Sequence, residues 1–111
     1  MGILFATKRL AKQCGSDSTR AKAFGADIAK VLRRRLDQLR AADALAVMRT
    51  LPGRCHELTG DRKGELAVDL RGPYRLVFEP ADNPPPVKED GGLEWQRVTA
   101  VRILEVEDYH G

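Results

Sequence analysis

Residues 66–79 carry the pattern that most constrains what this chain can become. Leu66, Val68 and Leu70 alternate with Ala67, Asp69 and Arg71, and after Gly72-Pro73 the residues Tyr74, Leu76 and Phe78 alternate with Arg75, Val77 and Glu79. A period of two marks a strand with one covered face, so the pattern predicts a β-hairpin. The same period sets its register. A two-residue turn would place Leu70 opposite Arg75 and put an arginine on the apolar face. A three-residue connection over Arg71-Gly72-Pro73 instead pairs Leu70 with Tyr74, Val68 with Leu76 and Leu66 with Phe78, and Gly72 can take the positive φ that such a turn requires. The odd register is therefore expected. It gathers six apolar side chains on one face and leaves Arg71 and Arg75 on the other, beside Asp69.

An amphipathic hairpin needs a cover. From Thr19 to Arg40 the residues Phe24, Ile28, Val31, Leu32, Leu36 and Leu39 recur at spacings of three and four, which predicts one long amphipathic helix, with Ser16, Asp17 and Ser18 as candidate caps before it. Lys30, Arg33 and Arg34 lie off its apolar stripe. Arg35 falls within the stripe and must snorkel or find a partner. A second helix is expected over Ala41–Met48, ending near Pro52-Gly53. Ile3–Ala6 reads as a short first strand and Thr7–Cys14 as a helical turn or two. Gln96–Val106 reads as a last strand whose apolar residues of both parities suggest burial on both faces. Between them, residues 80–94 hold Pro84-Pro85-Pro86 and Gly91-Gly92 with few apolar residues, and are expected to form an exposed loop inserted in the domain, with neither ladder nor helix. The whole predicts one α+β domain over residues 1–111, N-terminal helices packed on a small antiparallel sheet.

Charge is divided along the chain. Residues 1–63 hold 14 Lys/Arg against 6 Asp/Glu, and residues 64–111 hold 5 against 10. The basic half suits a polyanion such as RNA, or an acidic protein partner. No apolar run approaches the ~20 residues of a membrane span, and the opening residues are too short for a signal-peptide core, so a cytoplasmic protein with no membrane partner is expected. Cys14 and Cys55 then read as reduced thiols.

Two histidines exist, His56 and His110. With two arginines on one face they suffice for RNA cleavage without a metal or other cofactor: a base for the 2′-OH proton, an acid for the 5′-oxygen, and cations for the phosphorane charge. A zinc set of Cys14, Cys55, His56 and His110 fits no recognised ligand spacing, and Gly60-Asp61-Arg62-Lys63-Gly64 lacks the spacing of a phosphate-binding loop.

Leu51-Pro-Gly-Arg-Cys-His56-Glu-Leu58, Gly60-Asp61-Arg62-Lys63-Gly64, Gly72-Pro73-Tyr74-Arg75-Leu76 and Glu107-Asp108-Tyr109-His110, in that order, resemble the HigB branch of RelE/ParE-type toxins. The resemblance implies a RelE-like fold and a toxin of a type II toxin–antitoxin system that cuts mRNA in the ribosomal A site. It also implies a HigA-like helix-turn-helix antitoxin, with operator DNA bound only through that partner. By the same resemblance His110 is the proton-transfer residue and His56 assists or positions the RNA. Arg71 and Arg75 face the scissile phosphate, and Tyr109 and Asp108 complete the site. Lys30, Arg33, Arg34, Arg62 and Lys63 are expected to meet RNA backbone. Two departures stand out: Thr59 where the family commonly has a lysine, and the long 80–94 segment. The alternatives are a ParE-like toxin acting on DNA gyrase with the same fold, and a non-catalytic regulator on the antitoxin side.

Overall fold

The computed structural model describes residues 1–109. The chain runs β1 (Gly2–Phe5), α1 (Lys8–Gln13), α2 (Asp17–Phe24), α3 (Ala26–Ala41), a 3₁₀ turn over Leu45–Thr50, β2 (His56–Glu57), a 3₁₀ turn over Gly60–Arg62, β3 (Leu66–Asp69), β4 (Tyr74–Pro80), a third 3₁₀ turn over Trp95–Arg97, and β5 (Ala100–Asp108). The five strands form one sheet in the order β1-β5-β4-β3-β2. This is the α+β arrangement expected, with one difference. β1 pairs with β5 in parallel, Gly2 opposite Ala100 and Phe5 opposite Ile103. A parallel neighbour needs a long crossover, which the helices and the rest of the chain provide here, and no local pattern reveals it.

The hairpin takes the odd register. Leu66 faces Phe78, Val68 faces Leu76 and Asp69 faces Arg75. The Leu70 amide donates to the Tyr74 carbonyl at 3.0 Å, and Gly72 has φ +61°. The apolar row packs against the helices: Leu32, Leu36 and Leu39 of α3, with Leu45 and Met48, meet Leu66, Val68, Leu76 and Phe78 in one fully buried core.

Three expectations about elements change. The single helix over Thr19–Arg40 is two helices, α2 and α3, separated at Gly25, whose φ of +86° and ψ of 154° lie outside helical space. The apolar spacing from Phe24 to Ile28 is four residues whether or not the helix bends between them, so periodicity is blind to the break. The helix over Ala41–Met48 is instead an extended residue at Ala42 followed by a 3₁₀ turn, because the Leu45 amide bonds outward to the Val98 carbonyl at 3.0 Å. The last strand starts at Ala100, after a turn that buries Trp95.

The mixed parity of β5 has a local cause. A β-bulge at Val77/Phe78 shifts the register, so that Val77 faces Glu105 while Phe78 faces Ile103. An extra residue in one strand of a pair reverses which parity points to a given face. Val106 on one side of the bulge and Ile103 and Val101 on the other therefore pack on the helices, and Leu104 joins Leu58, Ala67 and Val77 in a small cluster on the opposite face. Burial of β5 on both faces along its length is not required.

The 80–94 segment is more ordered in its bonding than its composition suggests. Val87 and Leu93 form an isolated antiparallel bridge, Lys88 N donates to Gly92 O at 2.7 Å, and Glu94 N donates to Pro86 O at 2.9 Å. The prolines occupy the approach to this bridge, where no amide donor is needed, so they do not prevent it. Among the described residues no helix is long and apolar enough to cross a membrane.

Candidate active site on the open face of the sheet

The face of the sheet turned away from the helices holds a row of charged side chains. Pleating puts directly paired residues on one side, so His56 opposite Ala67, Asp69 opposite Arg75, and Arg75 opposite Glu107 all belong to this face. Arg75 Nε donates to Glu107 Oε2 at 2.7 Å, and the Arg75 guanidinium lies over the Tyr109 ring, 4.7 Å from its centroid. Tyr109 is itself fixed by its amide, which donates to the Pro73 carbonyl at 3.1 Å. The residue is 42% exposed, so its rigid aromatic is accessible to a ligand.

Glu107 is shared. Arg62 Nη2 reaches it at 3.2 Å and Glu105 at 3.1 Å, while Arg62 Nη1 bonds Glu65 at 2.6 Å. Burial pushes the Glu107 carboxyl up, but the bonds from Arg75 and then the charge of Arg62 outweigh it and hold Glu107 below the usual carboxylate range. The bond to Glu65, followed by those to Glu105 and Glu107, raises the Arg62 guanidinium further above its already high value. Glu107 therefore stays ionised at neutral pH and is a poor general acid.

A second ion pair borders this cluster. Arg54 Nε donates to Asp69 Oδ2 at 2.7 Å and Arg54 Nη2 to Oδ1 at 3.4 Å. The Asp69 bond, with a contribution from the Tyr109 phenol, raises the Arg54 guanidinium above its ordinary value. Arg54 has φ +50°, a left-handed conformation that costs a branched or long residue energy unless its surroundings hold it. The hold is visible. Gly53 O accepts from Asp69 N at 2.7 Å, and Arg35 Nε, rising from α3 through the core, donates to Asp69 O at 2.8 Å. Arg35 is the arginine found within the apolar stripe, and this carbonyl is its partner. Burial, then the charge of Arg34, lowers its guanidinium from the ordinary value, although the Asp69 charge opposes the shift.

His56 completes the face. Its Nδ1 is 2.6 Å from the Arg54 carbonyl. A carbonyl only accepts, so Nδ1 carries a proton, which leaves Nε2 as the ring's proton-exchanging nitrogen. The left-handed turn at Arg54 thus sets both an arginine and the tautomer of the histidine two residues later.

The other expected residues are distributed differently. Arg71 is exposed in the hairpin turn, beyond the paired residues of β3, and has no ion-pair partner among the described residues. It does not share the Arg75 position in the ladder, because the three-residue connection takes it out of the strand. Asp108 faces Tyr74 and is out of phase with Glu107, so it lies on the helix-side row by register. His110 lies outside the described residues. Arg62 is engaged by three carboxylates, and Lys63 is exposed. Lys30, Arg33 and Arg34 line a groove of about 820 Å³ between α2 and α3, with Arg33 bonded to Asp17 at 3.2 Å. They belong to the helical layer and form no common surface with Arg75.

Arg54 and Glu107 are site residues that the sequence pattern did not single out, whereas Asp69 was placed on this face by the hairpin register. A signal existed for the first: a lone basic residue after Pro52-Gly53, two before a histidine. Glu107 could have been found by counting back in twos from Tyr109. Among the described residues no group of three or more His, Cys, Asp or Glu is placed to hold a metal ion.

No family model matches the chain, and no curated protein matches it. Among solved structures, the YoeB/ParE toxin from Agrobacterium tumefaciens superposes with a TM-score of 0.58 at 11% identity, covering 99% of this chain and 100% of that one. At that identity the likeness is one of fold, and it extends over the whole of both chains. The chain shares the fold of that YoeB/ParE toxin.

Proposed function

We propose that this chain is the toxin of a type II toxin–antitoxin pair and that it cuts mRNA on the ribosome with its own side chains. The observation that carries the reading is the open face of the sheet. There a guanidinium (Arg75) lies against an exposed aromatic (Tyr109) and an ionised carboxylate (Glu107), beside a second arginine (Arg54) and a histidine oriented through its Nδ1 (His56). Arginines supply charge for a developing phosphorane, the ring gives a stacking platform for an unstacked base, and histidine suits proton transfer near neutral pH. The fold shared with a YoeB/ParE toxin supports the toxin side of the pair.

In this reading His110, which follows Tyr109 in the chain, and His56 divide the proton transfers, Arg75 and Arg71 bear on the phosphate, and Asp108 flanks the site. The HigB-like order of motifs supports a helix-turn-helix antitoxin as the partner, with operator DNA reached through it. Lys63 extends the contact to RNA backbone, and Lys30, Arg33 and Arg34 meet a different stretch of nucleic acid from the one at Arg75.

One observation favours the second reading, a toxin that acts on DNA gyrase. Arg75, Arg54 and Arg62 are already occupied by carboxylates, and Thr59 supplies no cation. A phosphate must displace Glu107 or bind the remaining guanidinium donors. Parallel assays separate the two. The proposal expects reporter mRNA to be cut in a reconstituted translation reaction while gyrase supercoiling proceeds unchanged. Intact message with blocked supercoiling would replace it with the gyrase reading.

A further inference from the structure

The two departures from the HigB-like pattern, Thr59 and the 80–94 segment, meet in space. They line one cleft of about 730 Å³ at the edge of β2, walled by Leu58, Pro85, Val87 and Leu93 and bordered by Thr59 and Lys63. Glu57 lines it as well. The cleft therefore runs along the β2 edge next in the chain to His56, and neither Arg75 nor Glu107 lines it. The bridge from Val87 to Leu93 closes the loop that forms its outer wall.

Its chemistry is specific. Apolar flat walls suit an aromatic ring, Lys63 brings a cation to the rim, and Glu57 brings acceptors. Glu57 is also pinned: the buried Trp95 indole donates Nε1–H to Glu57 Oε2 at 3.0 Å, and Arg49 lies over the Trp95 ring, 3.9 Å from its centroid. A carboxylate has about four lone-pair sites, so one such bond leaves acceptors on both oxygens. Two adjacent acceptors match an edge with two adjacent donors. Among the four RNA bases only guanine presents that, in N1–H and the exocyclic amine of its pairing edge. Adenine and cytosine offer one amine, and uracil one N–H.

We propose that this cleft is a nucleobase subsite that reads guanine in single-stranded RNA, with Glu57 as the reading group, Trp95 holding it in place, and Lys63 taking the adjoining phosphate. The subsite deepens the ribonuclease reading and rests on it for its biological role, but its binding is measurable without cleavage. A volume of this size is in the range of small-ligand sites.

Trp95 is the only tryptophan and is bonded to the reading group, so its fluorescence reports occupancy directly. Each of the four nucleoside 5′-monophosphates is titrated into the full chain. Saturable change is expected with guanosine monophosphate at a dissociation constant on the order of a millimolar, and about tenfold weaker with the other three. Glu57→Gln keeps an acceptor for the Trp95 indole but presents one acceptor and one donor, so the preference should move toward adenine. Arg9→Ala, an exposed change on α1 outside the cleft lining, should leave guanosine monophosphate binding unchanged. The proposal is overturned by equal binding of all four or by no saturable change up to about 10 mM. An unchanged preference in Glu57→Gln, or loss of binding in Arg9→Ala, overturns it as well. Guanine-selective binding without RNA cleavage would leave the subsite standing and remove the ribonuclease reading, and cleavage without such binding would do the reverse.

Discussion

Gly53→Ala should destabilise the fold by about 2–6 kcal/mol, more than backbone strain alone explains. Gly53 has φ +112°, and a Cβ built there would lie 2.7 Å from Val68 Cγ2 and 2.9 Å from Arg35 Nε. Neither neighbour can yield cheaply. Val68 is fully buried in the core, and Arg35 is tied by its 2.8 Å bond to the Asp69 carbonyl. The unfavourable φ costs about 1–3 kcal/mol for an L-residue, and the overpacked contacts add about 1–3 kcal/mol more. Gly64 is the matched control: its φ is +95°, and a Cβ there meets nothing within 4 Å. Gly64→Ala carries the strain without the clash, so the difference between the two variants isolates the close approach. Urea denaturation of both, followed by Trp95 fluorescence, gives that difference. In a double variant, Val68→Ala should recover part of the Gly53→Ala loss, since it removes the methyl that is struck. Equal losses in Gly53→Ala and Gly64→Ala would refute the claim that this loop is pressed against Arg35 and the core.

Two other outcomes follow from titrating groups. Burial pushes the Cys55 thiol up to about 12, and Cys14 is also raised, chiefly by burial. At pH 8 an alkylating reagent should then modify Cys55 in the folded chain about a thousandfold more slowly than a free thiol of ordinary pKa. Full-rate labelling before unfolding would contradict its burial. Glu107 is held below its ordinary 4.5, so the folded state binds fewer protons than the unfolded state in that range. Its contribution is present above about pH 4.5 and is lost as pH falls through the lower folded value. Urea midpoints from pH 7 down to 3 should fall less steeply for Glu107→Gln than for the wild-type chain, and parallel slopes would count against the Arg75–Glu107–Arg62 network.

Much of this architecture was legible from residue patterns because it is decided locally. The hairpin register follows from a side-chain period of two and a single odd turn, and Leu66, Val68, Leu76 and Phe78 could hardly have been buried another way. The α3 stripe was equally plain, including the anomaly of Arg35. What escaped depends on contacts distant in sequence. The break at Gly25 leaves the apolar spacing intact, the parallel β1–β5 pair joins residues about a hundred positions apart, and the β5 bulge disguised a strand with one well-covered face as one buried on both. At the site, Arg75, Tyr109 and His56 were visible as residue types of the right chemistry. Their neighbours were not: which carboxylate meets which arginine is set by cross-strand pairing, and the role of Arg54 by a left-handed turn that the letters Gly-Arg do not announce.

The most direct test of the proposed function is primer extension on a reporter mRNA in a reconstituted translation system. Wild-type chain is compared with Arg75→Ala and His110→Ala. Discrete cuts should appear only with translating ribosomes, fall by about a hundredfold or more in Arg75→Ala, and disappear in His110→Ala. A message left intact by the wild-type chain, or cuts of undiminished strength in Arg75→Ala, would contradict the assignment of this face as a ribonuclease centre.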